Sequence, residues 1–232
     1  VLALAARSGD EAESRRDEPY RRALTGIYAR TAATYSKLTG ATPPRPSRPA
    51  EPYASPDELR DDLATIAHPL TDGLRASGGA IERLIRAVEV FGFHLATLDL
   101  QQNSAVHERV VAELLATAGV CDDYAALDEE ERVALLTREL ATARPLTSRF
   151  IHYSDETTSE LAIVAAAADA HATYGPACIR QYIVSMCKSV SELLEVHLLL
   201  KEVGLYRPGE PATAAVMACL LYTSPSPRDK RQ

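Results

Sequence analysis

Residues 92–104 read Gly-Phe-His-Leu-Ala-Thr-Leu-Asp-Leu-Gln-Gln-Asn-Ser, a sequence that changes from apolar to polar halfway along. The segment Phe93–Leu100 is short, mostly apolar and bounded by glycine on one side and a polar cluster on the other. These features are typical of a strand that is buried on both faces, as in a parallel sheet covered by helices. We therefore predict a buried parallel strand over Phe93–Leu100.

The polar run Asp99–Ser104 at the end of this segment has two interpretations. In the first, it lies on the rim where a barrel strand passes into a helix, which is the usual place for chemistry in α/β barrels. In the second, Asn103 or Ser104 caps the next helix by accepting hydrogen bonds from its free N–H groups, and the two glutamines are solvated. Composition favours the cap, although the residues alone leave both interpretations open.

Helical patterns surround this segment. A helix is predicted over Asp17–Leu38, with proline near its start and Gly40 as its stop. Residues 41–54 contain five prolines and predict an extended connector. Later helix starts are predicted from N-cap signals at Ser55, Ser104, Asp128, Ser154 and Ser189.

A second strand is predicted over Ile179–Met186, and like the first it is followed by a capped helix. Two such units predict a mostly α chain with a few buried parallel strands. There are too few strands to close a barrel, so we expect an incomplete piece of a helix-rich α/β (TIM-like) barrel.

Composition excludes several classes of protein. The chain has 232 residues with 32 acidic against 25 basic side chains, and its net charge of −7 argues against binding to nucleic acid. No apolar run reaches the roughly 18 residues that a membrane helix needs, so no membrane association is expected. Four cysteines without C-x-x-C spacing predict reduced thiols and a cytoplasmic location. Because the sequence starts at Val1 within a helical pattern, we expect a fragment.

Motifs that bring catalytic or metal chemistry are absent from the sequence: there is no glycine-rich phosphate loop, no H-E-x-x-H, no G-x-S-x-G and no zinc spacing. His94 is predicted to hydrogen-bond within the core, and Cys178 and Cys187 to be structural thiols. The other histidines considered have no partner at metal-ligand spacing and predict no metal site: His107, His152, His171 and His197.

The segment 91–109, which ends in Val-His-Glu-Arg, closely resembles bacterial phosphoenolpyruvate carboxylase. Four further segments resemble the same family in the same order: 127–130, 144–146, 182–186 and 193–202. The resemblance implies a carbon–carbon lyase of the cytoplasm that fixes carbon dioxide. The implied reaction joins bicarbonate to phosphoenolpyruvate and yields oxaloacetate and phosphate. The resemblance also implies a helix-rich protein around an eight-stranded barrel, a homotetramer under allosteric control and a requirement for Mg²⁺ or Mn²⁺.

Very little of the family's catalytic machinery falls inside this chain. The family's catalytic histidine lies in a His-Pro motif upstream of the matched region, and the similar pair His68-Pro69 does not take over that role. The glycine-rich loop and the two metal carboxylates lie downstream, so no catalytic residue and no metal ligand is assigned here. One position is included: the family arginine that reaches the substrate phosphate is replaced by Gln101, which carries no charge.

These expectations divide the chain into an N-terminal helical segment 1–40, a Pro-rich connector 41–54, a partial phosphoenolpyruvate carboxylase barrel region 55–218 and a tail 219–232. The tail holds two prolines and several charges, which do not suit a buried strand, and is predicted to be foreign or disordered. The isolated fragment is expected to be inactive. The alternative is a non-catalytic helical scaffold or interaction module.

Overall fold

The computed structural model describes residues 1–71, 79–211 and 213–219. The chain divides into two compact units, one from Val1 to Ala96 and one that begins at Thr97. This division falls inside the segment 55–218, which the sequence predicts to be one region. The tail beyond Cys219 lies outside the described residues.

The first unit is helical. Its helices are α1 (Leu2–Arg7), α2 (Pro19–Thr39), α3 (Pro56–Thr71) and α4 (Ala80–Phe91). As predicted, proline occupies the first position of α2, and Gly40 ends the helix in the left-handed conformation at φ 69°. Residues 41–55 contain no helix or strand. Buried apolar side chains from all four helices and from residue 53 form the core of this unit: Leu4, Ala5, Ala23, Ile27, Tyr53, Leu59, Leu63, Ile66 and Val88.

The second unit combines helices with a small parallel sheet. Its elements in chain order are β1 (Leu98–Asn103), α5 (Ser104–Thr117), α6 (Glu129–Leu140), α7 (Asp155–Tyr174), β2 (Ile179–Ser185), α8 (Val190–Glu202) and β3 (Ala215–Cys219). The strands lie in the order β1-β2-β3, and both pairs are parallel. The predicted combination of a mostly helical chain with a few parallel strands is therefore confirmed.

One face of this sheet packs against the helices. Tyr182 and Val184 of β2 are fully buried there, in a cluster with apolar side chains of α5, α6 and α8. Leu100 of β1 packs against the same cluster, as do Val216 and Ala218 of β3. Because side chains alternate along a strand, the intervening side chains point to the opposite side. We call that side the open face.

The helix starts predicted for this unit are confirmed. Asp128 and Glu131 form a capping box at the start of α6, where each side chain accepts a hydrogen bond from the other residue's N–H group. Ser154 caps α7 by accepting a hydrogen bond from the N–H of Thr157. Caps of this kind depend on residues close in sequence, which is why the sequence indicates them reliably.

The prediction of a strand buried on both faces over Phe93–Leu100 is wrong in its start and in its burial. Residues 92–96 form a turn after α4, with Leu95 at φ 65° and 78% exposed, and the strand begins only at Leu98. Within the described residues, β1 pairs with β2 alone and is an edge strand. Leu98 is therefore 64% exposed, and an apolar sequence was mistaken for a buried one.

None of the helices in the described ranges combines the length and the apolar character needed to cross a bilayer.

Candidate functional site

The candidate site is the open face of the sheet at the carboxyl ends of the strands. Pairing across the sheet aligns Gln101 with Ile183 and Met217 in one row. The next row towards the carboxyl ends aligns Asn103, Ser185 and Cys219. Ligands of parallel α/β sheets bind beyond the carboxyl ends of the strands, so these two rows are where chemistry would take place.

Gln101 is exposed on the open face. Its neighbours in the row, Ile183 and Met217, are apolar, and Asp99 two residues earlier is an acid. The strands place no lysine or arginine in these two rows. An amide can donate a hydrogen bond to a phosphate oxygen, but it supplies neither the positive charge nor the two-pronged geometry of a guanidinium group.

The junction between β1 and α5 is held by Asn103. Its Oδ1 accepts a hydrogen bond from the N–H of Ala105 at 2.9 Å, so the cap interpretation of the polar run is correct for this residue. Ser104 is buried and donates instead to the carbonyl of Met186 at 3.3 Å.

Gln102 is not solvated, which corrects the second part of the cap interpretation. Its Nε2 donates to Oε1 of Glu160 on α7 at 2.8 Å, and its Oε1 accepts from the N–H of Asn103 at 2.8 Å. Ser185 donates to the carbonyl of Gln102 at 3.0 Å. Gln102 is thus tied to α7 and β2, while Gln101 next to it remains free on the open face.

Strained backbone occurs at the end of β2. Met186 has φ 60°, a left-handed conformation that is uncommon for a residue with a side chain. Its side chain is 40% exposed, and its carbonyl is the group that accepts the hydrogen bond from Ser104. The ends of β1 and β2 are therefore joined by two serine hydroxyls, one from each strand end.

The histidines do not form a site. His94 lies in the turn after α4 rather than in a buried strand, so its predicted place in the core is wrong. His171 and His197 each hydrogen-bond a backbone carbonyl, and His152 is exposed. His107 is fully buried on α5, with Nε2 at 2.9 Å from the hydroxyl of Tyr182. Burial lowers the pKa of His107 to about 4, which keeps the ring neutral.

The cysteines and the possible metal ligands also remain apart. All four cysteines are free thiols, and burial raises the pKa of both Cys178 and Cys187, as suits a structural role. Within residues 1–71, 79–211 and 213–219, no group of three or more His, Cys, Asp or Glu side chains could hold a metal ion. The described residues therefore do not fit a metal centre.

Sequence reasoning missed two buried carboxylates near the sheet, Glu160 on α7 and Glu195 on α8. Glu195 could have been found, because it lies on the helical stripe that contains the buried Ser191 and Leu198. Glu160 has no such signal. Its partner Gln102 is 58 residues away in sequence, so the contact depends on the tertiary packing that brings α7 to the sheet.

A family model for phosphoenolpyruvate carboxylase matches residues 3–224, which extends beyond both ends of the resemblance noted in the sequence. Among curated relatives named phosphoenolpyruvate carboxylase, that of Aromatoleum aromaticum is 58% identical over 91% of this chain. Those of Azoarcus sp. and of Rhodopseudomonas palustris (strain BisB5) are each 54% identical, over 91% and 90% of it.

The match covers only part of each relative. The chain spans 24% of the length of the Aromatoleum aromaticum protein, 23% of the Azoarcus protein and 22% of the Rhodopseudomonas protein. On the family model and on these identities, the chain belongs to the phosphoenolpyruvate carboxylase family.

Proposed function

We propose that this chain contributes consecutive strands to the barrel of a phosphoenolpyruvate carboxylase. The observation that carries the proposal is the sheet: three parallel strands adjacent in chain order, with helices on one face and an open face on the other. Parallel strands linked by helices in sequential order are the building pattern of an α/β barrel. In such a barrel the open face would be the interior.

The proposed reaction joins bicarbonate to phosphoenolpyruvate and yields oxaloacetate and phosphate, which makes the complete enzyme a carbon–carbon lyase. The contribution of this chain is position 101, which lies near the carboxyl end of β1 and faces the open side of the sheet. There it would contact the substrate phosphate. Loss of a charge-assisted hydrogen bond costs about 1.5–3 kcal/mol, so glutamine at this position should weaken phosphoenolpyruvate binding roughly 10–150-fold relative to arginine.

The remaining properties of the enzyme come from outside this chain. The described residues do not supply a metal centre, so we assign the ligands for Mg²⁺ or Mn²⁺ to other parts of the complete polypeptide. The proposal includes a cytoplasmic homotetramer under allosteric control. The isolated chain is proposed to be inactive, because its described residues supply no metal centre and the resemblance places the family's catalytic histidine upstream of the matched region.

The proposal can be tested with a chimera in which residues 1–218 replace the segment that they match in the Aromatoleum aromaticum enzyme. Oxaloacetate formation is measured against phosphoenolpyruvate concentration for the chimera and for its Gln101→Arg variant. We expect both to be active and the variant to have a KM for phosphoenolpyruvate lower by roughly 10–150-fold. Equal KM values would show that position 101 does not hold the phosphate. A folded chimera without activity in either form would favour the helical scaffold instead.

A further inference from the structure

Both polar atoms of the Gln102 side-chain amide are hydrogen-bonded. Its Nε2 donates to Glu160 and its Oε1 accepts from the N–H of Asn103, each at 2.8 Å. A side-chain amide whose nitrogen donates and whose oxygen accepts a hydrogen bond at the same time is held in one orientation and one conformation. Gln102 is therefore fixed on the helix side of β1.

Glu160 supplies the anchor for this arrangement. It is 7% exposed on α7, and its hydrogen-bond partner across to the sheet is an amide rather than a cation. A carboxylate removed from water without a cation gains little stability from such a contact. The buried position of Glu160 is better explained by its orientation of the Gln102 side chain than by a contribution to the stability of the fold.

The fixed conformation of Gln102 determines where the neighbouring side chain stands. Successive side chains of a strand project to opposite faces, so a Gln102 tied to α7 directs the side chain at position 101 onto the open face. The carbonyl of Gln102 is held in addition by the hydroxyl of Ser185 on β2 at 3.0 Å. The backbone after position 101 is thus fixed from α7 and from β2.

We infer that Glu160 is a positioning residue, which acts through Gln102 to aim the side chain at position 101 at the substrate phosphate. The inference rests on the proposed function, because it needs position 101 to contact phosphoenolpyruvate. Glu160 itself touches no substrate. Its effect should appear in phosphoenolpyruvate binding, because a misplacement of about 1 Å can cost up to about 100-fold in an enzyme site.

The test uses the Gln101→Arg form of the chimera described above. In this background, Glu160→Leu removes the acceptor for Gln102, whereas Glu160→Gln keeps an oxygen in the same place. We expect Glu160→Leu to raise the KM for phosphoenolpyruvate roughly tenfold, with kcat and the KM for bicarbonate unchanged. The reason is that the contact of position 101 with the phosphate is made equally in the bound substrate and in the transition state, so its loss weakens binding without slowing the chemical step. Glu160→Gln should restore the KM to within about twofold of its parent.

Glu113 on α5 provides a matched control, because its carboxylate also contacts α7. Its carboxylate accepts hydrogen bonds from Ser154 and Thr157 at the start of α7 and not from the side chain of Gln102 on β1. Glu113→Leu should lower the melting temperature and leave the KM for phosphoenolpyruvate unchanged.

Two results would overturn the inference, and they differ from each other. If Glu160→Leu leaves the KM unchanged while Gln101→Arg lowers it, position 101 binds phosphate without help from Glu160, and the proposed function stands. If Gln101→Arg itself has no effect on the KM, the proposed role of position 101 fails, and the role of Glu160 fails with it.

Discussion

The hydroxyl of Tyr124 donates a hydrogen bond to Oε1 of Glu195 at 2.9 Å in the core of the second unit, where both side chains are buried. The other carboxylate oxygen of Glu195 has no hydrogen-bond partner among the described residues. Burial raises the pKa of Glu195 to about 8, and the carboxylate of Glu108 adds to this shift. The hydrogen bond from Tyr124 and the guanidinium of Arg132 oppose it. Glu195 is therefore mostly protonated at neutral pH.

Ionisation of Glu195 should make the protein less stable in alkali. The folded pKa of about 8 lies above the ordinary value of 4.5. The stability that this group contributes is therefore complete below pH 4.5, falls as the pH rises and is lost above about pH 8. Glu195→Gln removes the penalty. We expect the variant to exceed the parent in free energy of unfolding by about 3–5 kcal/mol at pH 9 and to differ little at pH 4.5.

The measurement is urea unfolding followed by circular dichroism at both pH values. Tyr124→Phe is the companion variant, because it removes the hydrogen bond and leaves the carboxyl group in place. It should destabilise the protein at both pH values. A gain from Glu195→Gln of equal size at pH 4.5 and pH 9 would contradict the titration of Glu195.

The stability that His107 contributes should depend on pH in the opposite direction, with a loss in acid. Burial lowers its folded pKa to about 4 from the ordinary 6.5, so the unfolded chain binds a proton between these values and the folded chain does not. The stability from neutral His107 is complete above pH 6.5 and is lost as the pH falls towards 4. The free energy of unfolding of His107→Gln should therefore fall by about 2–3 kcal/mol less than that of the parent over this range. Parallel pH profiles for the two proteins would count against a buried neutral ring.

Local signals explain which parts of this fold the sequence could predict. The caps at Asn103, Asp128 and Ser154 each use hydrogen bonds between residues two or three apart, so the helix starts follow from short stretches of sequence. The start of β1 does not follow in this way. The burial of this strand depends on which strands and helices lie beside it, and the apolar segment before Leu98 forms a turn in which Leu95 is exposed.

The residues of the candidate site also differ in whether the sequence alone identifies them. Position 101 could be identified from the sequence around it, because the surrounding residues resemble a family motif. The link between Gln102 and Glu160 joins residues 58 positions apart and exists only because the tertiary packing brings α7 to the sheet. A contact of this kind needs the tertiary structure.

Lys201 should contribute to stability through two backbone carbonyls. It is buried on α8, and its Nζ donates to the carbonyl of Glu139 at 2.8 Å and to that of Arg144 at 2.9 Å. Lys201→Met removes the charged donor from both carbonyls, and Thr142 continues to donate to that of Glu139. We expect a loss of about 2–3 kcal/mol in the free energy of unfolding, measured by urea denaturation at pH 7. Lys188→Met, at an exposed lysine of the same unit, should change it by less than about 0.5 kcal/mol. Similar losses in both variants would exclude a specific role for Lys201.

The exposed edge of the sheet should make the isolated chain associate with itself. Within the described residues the outer edge of β1 has no strand partner, and Leu98 at its start is 64% exposed. Unpaired edges with apolar side chains recruit other strands, and a lysine at the edge opposes this because its charge would be buried on pairing. Leu98→Lys should therefore lower both the fluorescence of a bound hydrophobic dye and the average mass in sedimentation. Leu2→Lys is the matched control, because Leu2 is 75% exposed but lies on helix α1. If the two variants reduced association equally, general surface hydrophobicity rather than the strand edge would be responsible.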